Sequence, residues 1–180
     1  GSEMCIRDSV TGCAAMEPIR VYAGMPEEGK SLQSAADLVV EELHRTGAFD
    51  RAVILIATST GSGWVDEWQV QPLEYLTRGN CATASMQYSF VPSSINFLTD
   101  LDVSEEAAVI LFETIRRAVD EIPEDRRPAL FVCGESLGAY ASQHVFSGIV
   151  DVLSRTDGAL WVGTPAFTPM HAELTAIRHR

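Results

Sequence analysis

Two kinds of hydrophobic pattern follow one another along most of the chain. Short apolar runs, rich in branched residues, occupy residues 19–23, 52–57, 81–88, 129–133 and 159–162. A continuous apolar run of about four to eight residues is typical of a strand that is covered on both faces, as in a parallel sheet. The pattern therefore predicts five strands, separated by segments of a different period.

Between the apolar runs, hydrophobic residues recur at helical spacing. The predicted helices cover residues 31–46, 65–77, 103–122 and 137–153. Asp102 and Glu105 have the spacing of a capping box at the start of the third helix, and Pro72 is expected to weaken or bend the second. Residues 90–101 follow neither period and predict an irregular segment.

Strands that alternate with helices indicate βαβ units. We therefore predict an α/β fold, with a mostly parallel sheet and helices on both faces. The length of 180 residues suggests a single domain. The opening segment has no regular period, and we interpret residues 1–18 as a non-native or disordered leader.

The negative charge of the chain makes nucleic acid an unfavourable partner. It has 13 basic and 25 acidic residues, a formal net charge of -12, and so repels phosphate backbones. We therefore expect no binding to nucleic acid. No apolar run approaches the roughly 20 residues that a bilayer requires, so the sequence predicts no membrane span.

The four cysteines do not suggest a metal site. None forms a C-x-x-C pair, and no cluster of histidines accompanies them. Cys81 and Cys133 lie in predicted strands and are expected to be buried free thiols. We predict no metal and no organic cofactor.

The strongest indication of chemistry is the pentapeptide at residues 134–138, which has the form G-x-S-x-G. It follows a predicted strand and opens a predicted helix, which is the context of a nucleophile elbow. Ser136 would then sit on a sharp, strained turn, where Gly134 and Gly138 are needed because larger side chains would collide. Ser136 is the candidate nucleophile. The alternative is an ordinary glycine-rich turn between a strand and a helix.

A second loop of small residues, at 60–64, also follows a predicted strand. In a nucleophile-elbow site, the residue after the nucleophile, here Leu137, gives one oxyanion-hole amide, and a loop after an earlier strand gives the other. Gly61, Ser62 and Gly63 are the candidates for the second amide. The alternative is a simple connecting turn. A phosphate-binding loop is poorly supported, since no Gly-Lys-Ser/Thr follows.

A serine hydroxyl is a poor nucleophile without a general base, and the histidines are the candidates. His44 lies on the polar face of a predicted helix. His144 lies eight residues beyond Ser136, in the helix that leads away from the turn. Neither is expected to reach the Ser136 hydroxyl.

Two further histidines, His171 and His179, follow the last predicted strand. The catalytic order in this fold is serine, then acid, then histidine, and Asp151 or Asp157 could be the acid. Both acids come early, however, because the fold carries its acid and base on loops after later strands. We therefore expect the acid and the base to lie beyond the last residue of this chain.

Seven stretches carry a resemblance to a known family. They are IRVYAG at 19–24, RTGAFDR at 45–51, GSGWVD at 61–66, MQYS at 86–89, PEDRRP at 123–128, GESLG at 134–138 and GALWVG at 158–163. Together, in this order, they resemble the catalytic domain of a bacterial family, alpha/beta-hydrolase family 9. The resemblance covers residues 18–180.

The resemblance implies that Ser136 is the nucleophile of a serine α/β-hydrolase. It also implies a multi-span membrane region ahead of this domain, so a membrane would be met only through a region that this chain lacks. Further strands, an acid and a histidine are implied beyond the point that matches Arg180. We therefore interpret residues 19–180 as the N-terminal part of a catalytic domain.

The predicted function is hydrolysis of an ester or a related acyl bond in a small-molecule substrate. Trp64 and Tyr88 are candidate walls of the acyl pocket or, alternatively, core aromatics, and Glu135 is expected in a structural ion pair. The alternative from another class is a truncated or non-catalytic chain. A lyase or an acyltransferase on the same fold is a third possibility, since a fold does not fix a reaction. The sequence predicts no oligomeric state.

Overall fold

The computed structural model describes residues 15–89 and 101–178. Its strands are β1 (Ile19–Ala23), β2 (Val53–Thr58), β3 (Cys81–Met86), β4 (Ala129–Glu135) and β5 (Gly158–Val162). Its helices are α1 (Leu32–Arg45), α2 (Glu67–Leu76), α3 (Leu101–Asp120), α4 (Leu137–His144), α5 (Ile149–Arg155) and α6 (Pro169–Arg178). Single 3₁₀ turns cover Ala48–Asp50 and Glu124–Arg126.

Two predicted segments fall largely outside the described residues. They are residues 1–14 of the predicted leader and residues 90–100 of the predicted irregular segment. Of the remaining leader residues, Met16 donates its backbone N–H to the carbonyl oxygen of Arg78 at 2.9 Å.

The five strands form one parallel sheet in the order β1-β3-β2-β4-β5. The predicted α/β class and parallel sheet are confirmed. The register places Thr58 of β2 beside Gly134 of β4, so these neighbouring strands end at the same edge of the sheet. The loops that follow β2 and β4 therefore leave the sheet side by side.

Crossover handedness decides which face each helix covers. A right-handed connection puts its helix on one face when the chain moves one way along the sheet, and on the other face when it moves back. Among the described connections the chain moves back only between β2 and β3, through α2. Accordingly α2 packs Val70 and Leu73 against Leu55, Ala57 and Cys133 on one face. Helices α1, α3, α5 and α6 contribute to the larger core on the other face.

Side-chain contacts fix both ends of α2. Asp66 precedes the helix and accepts a hydrogen bond from the Trp68 amide at 3.0 Å, so it caps the amino end. Near the other end, Glu74 is 2 % exposed and accepts two hydrogen bonds from the Arg20 guanidinium of β1, at 2.7 and 2.8 Å. This bidentate pair ties α2 to the edge of the sheet.

The prediction of one helix over residues 137–153 is wrong, because the structure has two. Helix α4 ends at His144 and α5 begins at Ile149. Between them, Gly148 adopts an extended backbone (φ 160°, ψ -178°) that no helix accommodates. The Ser147 amide donates to the Asp151 carboxylate at 3.0 Å, which stabilises the start of the new helix.

The third predicted helix begins earlier than expected. Helix α3 starts at Leu101, so Asp102 lies inside its first turn instead of capping it. Glu105 makes no capping box either, since its carboxylate accepts a hydrogen bond from the Tyr140 hydroxyl. Helix α6 was not predicted at all. It begins at Pro169, and proline is common at the first position of a helix. The helix was missed because the prediction relied on hydrophobic spacing alone.

Among the helices that the structure describes, none is both long and apolar enough to cross a membrane.

Candidate active site

Ser136 occupies a strained turn between β4 and α4. Its backbone angles are φ 51° and ψ -114°, and within the described residues only Arg78 is another non-glycine residue with positive φ. A side chain in such a region costs about 1–3 kcal/mol, which the surrounding structure must offset. Part of that support comes from β5, because the Ser136 amide donates to the carbonyl oxygen of Val162 at 2.9 Å.

Backbone atoms exclude any side chain at the two glycines that flank Ser136. A Cβ atom built on Gly134 would lie 2.4 Å from the carbonyl oxygen of Gly138. A Cβ atom built on Gly138 would lie 2.4 Å from the carbonyl oxygen of Thr58, at the end of β2. The first contact brings the strand and the following helix together, and the second packs that helix against the neighbouring strand.

Ser136 is half-buried, and its hydroxyl has no hydrogen-bond partner in the described part of the chain. The carbonyl oxygen of Ser136 accepts a hydrogen bond from the Tyr140 amide at 3.0 Å, so the hydrogen-bond ladder of α4 begins there. The amides before Tyr140, including that of Leu137, belong to the first turn and have no partner within the helix. The Ser136 hydroxyl therefore stands beside helix amides that attract negative charge.

The loop at residues 60–64 is a closed turn next to this elbow. Thr60 donates its amide to the Trp64 carbonyl at 2.9 Å, and Gly63 donates its amide to the Thr60 carbonyl at 2.9 Å. Of the three residues predicted to supply an oxyanion amide, Gly63 therefore already uses its N–H inside the loop. Gly61 is buried and Ser62 is exposed.

Two side chains from distant segments hold the carbonyl groups of this loop. The Tyr22 hydroxyl, from β1, donates to the Gly63 carbonyl at 2.9 Å. The Gln87 amide, just after β3, donates to the Ser62 carbonyl at 3.2 Å and to the Ser89 carbonyl at 2.9 Å. Sequence reasoning did not assign a role to either residue. The one signal available was their position in two of the stretches that carry the family resemblance.

A pair of carboxyl groups lies between the elbow and the start of α2. Glu135 precedes Ser136, and its carboxyl group lies beside that of Asp66. Burial, hydrogen bonding with Asp66 and the negative charge of Asp66 all raise the pKa of Glu135 above its ordinary value. Within the described residues no ion pair of Glu135 bears out the earlier expectation, and the neighbouring group is another acid.

The two histidines that were not expected to reach Ser136, His44 and His144, have other partners. The His144 ring Nε2 lies 3.1 Å from a Glu105 carboxylate oxygen. The His44 ring packs against Phe49 with 4.5 Å between ring centroids. Burial and Glu105 together raise the pKa of Tyr140, which shares this carboxylate, to about 12. His144 and Tyr140 of α4 thus share the Glu105 carboxylate of α3, and the three residues form a contact between these helices.

Both candidate acids bind backbone amides away from Ser136. Asp157 accepts from the Leu130 amide at 2.7 Å, at the amino end of β4, whereas Ser136 follows its carboxyl end. A strand of that length separates the two by roughly 20 Å. Asp151 accepts from the Ser147 amide at 3.0 Å. His171 lies in α6, and His179 falls outside the described residues.

The other residues singled out from the sequence have different surroundings. The Trp64 side chain is 65 % exposed, whereas Tyr88 is 5 % exposed and packs in the larger core. Cys81 and Cys133 are buried free thiols, as predicted, and burial raises the pKa of Cys133 to about 12. Cys133 is therefore a neutral thiol at physiological pH, and no rival to the nearby serine as a nucleophile.

A family model described as an alpha/beta-hydrolase family matches residues 19–180. The chain belongs to the alpha/beta-hydrolase family. The recognition made from the seven stretches is confirmed, and membership indicates a hydrolase. A search of curated proteins found no match. The turn between β4 and α4 is the candidate active site of this α/β-hydrolase.

Proposed function

We propose that this α/β-hydrolase is a serine hydrolase that cleaves an ester or a related acyl bond, with Ser136 as the nucleophile. The observation that carries the proposal is the strained backbone of Ser136, at φ 51°, between two glycines that backbone atoms keep free of side chains. Strained backbone of this kind is concentrated at functional sites, where the surrounding structure holds a reactive group in place.

The reaction follows from the position of the hydroxyl. The Ser136 oxygen attacks the acyl carbon while its proton passes to a general base, and the carbonyl oxygen becomes an oxyanion. The amide of Leu137 and an amide of the loop at residues 60–64 bind that oxyanion. Collapse expels the alcohol or amine, which takes the proton back from the base. Water then hydrolyses the acyl-enzyme by the same steps.

The proposed general base is a histidine. None of the histidines that the structure describes is hydrogen-bonded to Ser136. His44 and His144 have other partners, and the Ser136 hydroxyl has none among the described residues. The same observation favours a second candidate function, that of a non-catalytic member of the family. The two candidates differ in whether the serine can be made to react.

A fluorophosphonate probe separates these candidates. Attack forms a bond from the Ser136 oxygen to phosphorus, expels fluoride and gives a proton to the base. We expect labelling in wild type that Ser136→Ala abolishes and that Ser154→Ala, at an exposed serine of α5, leaves unchanged. Free imidazole in the buffer can serve as the base if none is at hand.

Peptide mapping of the adduct decides the outcome. An adduct on Ser136, formed with or without imidazole, supports the hydrolase. A folded protein whose Ser136 stays unmodified under both conditions, at probe concentrations that label a known serine esterase, contradicts the hydrolase and supports the non-catalytic alternative.

A further inference from the structure

We infer that the amide of Trp64 is the second oxyanion donor, and that the Tyr22 hydroxyl is a positioning group that orients it. The inference rests on the proposed function and makes it more specific. It assigns a role to a loop amide and to two side chains, Tyr22 and Gln87, that lie 41 and 25 residues from the loop residues they bind.

The direction of the Trp64 amide follows from the geometry of one peptide group. The described residues contain no cis peptide bond. In a trans peptide the C=O and the N–H point in opposite directions. Because the Gly63 carbonyl points at the Tyr22 hydroxyl, 2.9 Å away, the N–H of Trp64 points away from Tyr22.

Strand order says what lies on that opposite side. The loop leaves the carboxyl end of β2, whose neighbours are β3 on one side and β4 on the other. Tyr22 belongs to β1 and Gln87 follows β3, so both approach the loop from the β3 side. Ser136 follows β4. The Trp64 amide is therefore directed toward the side of the nucleophile.

The elbow and the loop are close enough to share a substrate oxygen. Gly138, in the first turn of α4, packs tightly on the end of β2. A Cβ atom built on it would lie 2.4 Å from the carbonyl oxygen of Thr58 and 3.2 Å from that of Ser59. The loop begins at the next residue, Thr60. Asp66, two residues beyond the loop, has its carboxyl group beside that of Glu135, which precedes Ser136.

The Tyr22 and Gln87 side chains also press directly on the loop. Gly63 has φ 82°, and a Cβ atom there would lie 2.2 Å from the Tyr22 hydroxyl oxygen and 2.8 Å from Gln87 Cγ. The loop carbonyls are thus bound and the loop backbone is packed from the same side. This arrangement fixes the Gly63–Trp64 peptide before substrate arrives, as an oxyanion hole requires.

Tyr22→Phe tests the inference, because it keeps the ring and removes only the hydroxyl. Complete loss of one oxyanion donor lowers the rate about 10²–10³-fold, and we expect a misdirected donor to cost about tenfold. The fall should appear in the maximal rate of Ser136 modification by the fluorophosphonate (kinact), with the half-saturating probe concentration unchanged. Tyr75→Phe, on α2, is the matched control and should react at the wild-type rate.

A merely structural role for Tyr22 would have a different signature. It would lower the melting temperature without changing kinact well below that temperature, so both variants are measured there and checked for wild-type circular dichroism. Gln87→Met should give a smaller fall in kinact than Tyr22→Phe, because Gln87 holds the preceding carbonyl.

The outcomes separate this inference from the proposed function. If wild type is modified at Ser136 and folded Tyr22→Phe is modified at the same maximal rate, the inference is overturned and the proposed function stands. If wild-type Ser136 is not modified with or without imidazole, the proposed function fails and the inference fails with it. A tenfold loss in Tyr22→Phe, with a smaller loss in Gln87→Met and none in Tyr75→Phe, supports both.

Discussion

Two turns at the carboxyl edge of the sheet are both closed to side chains, but by different means. At the elbow, backbone carbonyl oxygens exclude a Cβ from Gly134 and Gly138. In the loop at residues 60–64, the atoms that exclude a Cβ from Gly63 belong to the side chains of Tyr22 and Gln87. Hydrogen-bonded backbone of a strand or helix shifts only at high cost, whereas the end of a side chain can move. The elbow is therefore fixed by local chain geometry, and the loop by long-range contacts.

This difference explains what each turn contributes. The elbow must hold Ser136 at a costly positive φ, and unyielding backbone is suited to that. In the proposed reaction the loop directs an amide at a substrate oxygen, and side chains that bind its carbonyls can set that direction. Substitutions at the two turns should therefore differ in cost, and the difference can be measured.

The largest effect is expected at the elbow. Gly134→Ala and Gly138→Ala each place a Cβ 2.4 Å from a backbone oxygen, so strands or helices must shift. We expect a loss of about 4 kcal/mol in the free energy of unfolding, or no folded protein, for either variant. Urea denaturation followed by circular dichroism measures the loss.

Gly24→Ala is the matched control for the elbow substitutions. Nothing lies within 4 Å of a Cβ at Gly24, and its φ is not positive. Its free energy of unfolding should stay within about 0.5 kcal/mol of wild type. A Gly138→Ala protein as stable as Gly24→Ala would show that the packing of α4 on β2 is not as tight as described.

A smaller effect is expected in the loop. Gly63→Ala suffers both the positive φ of 82° and contact with yielding side chains. We expect a loss of about 2–3 kcal/mol in the free energy of unfolding, less than at the elbow. Gly29, at φ 84° with nothing within 4 Å, isolates the backbone cost, and Gly29→Ala should lose about 1 kcal/mol.

Removing the Tyr22 hydroxyl should relieve part of the crowding at Gly63. In a Tyr22→Phe background, the additional loss caused by Gly63→Ala should shrink toward that of Gly29→Ala, because the closest atom is gone. Equal losses in both backgrounds would mean that Tyr22 does not restrict the loop. Then the contrast between the two turns would not rest on side-chain contacts.

The smallest effect concerns the carboxyl pair that links the two turns. The pKa of Glu135 is raised in the folded protein above its ordinary 4.5, so folding favours the protonated form. The stabilising contribution of that proton is present at low pH and is lost as pH rises from about 4.5 through the raised pKa. Glu135→Gln keeps a hydrogen-bond donor but cannot titrate.

We therefore expect a flatter stability profile above pH 4.5 in Glu135→Gln than in wild type. Urea denaturation at a series of pH values measures it. Glu28→Gln, at an exposed position of the loop before α1, controls for the loss of one negative charge. Parallel profiles for Glu135→Gln and wild type would contradict the raised pKa of Glu135 in the folded protein.

The sequence predicts both turns, but it does not predict the side chains that hold the loop at residues 60–64. The elbow is encoded within five consecutive residues, Gly134 to Gly138, between a readable strand and a readable helix. The loop depends on Tyr22 and Gln87, whose contacts arise only when β1, β2 and β3 are placed in their order in the sheet. Hydrophobic period does not give that order.

Some local features also escaped prediction. The apolar spacing across residues 137–153 persists through the break at Gly148, so periodicity alone could not separate α4 from α5. Glu135 looked like half of an ion pair because the sequence does not reveal that Asp66 is its neighbour. For Glu135 the missing information was a tertiary contact, whereas the break at Gly148 is a local backbone conformation that hydrophobic period does not register.

The most direct test is a crystal structure of the fluorophosphonate adduct. If the two turns form one oxyanion hole, the phosphorus will be bonded to Ser136. Its free oxygen will then lie about 2.7–3.1 Å from both the Leu137 and Trp64 amide nitrogens. An adduct whose phosphoryl oxygen points to solvent, or binds the Leu137 amide without any amide of the 60–64 loop, would contradict the joint role of the two turns.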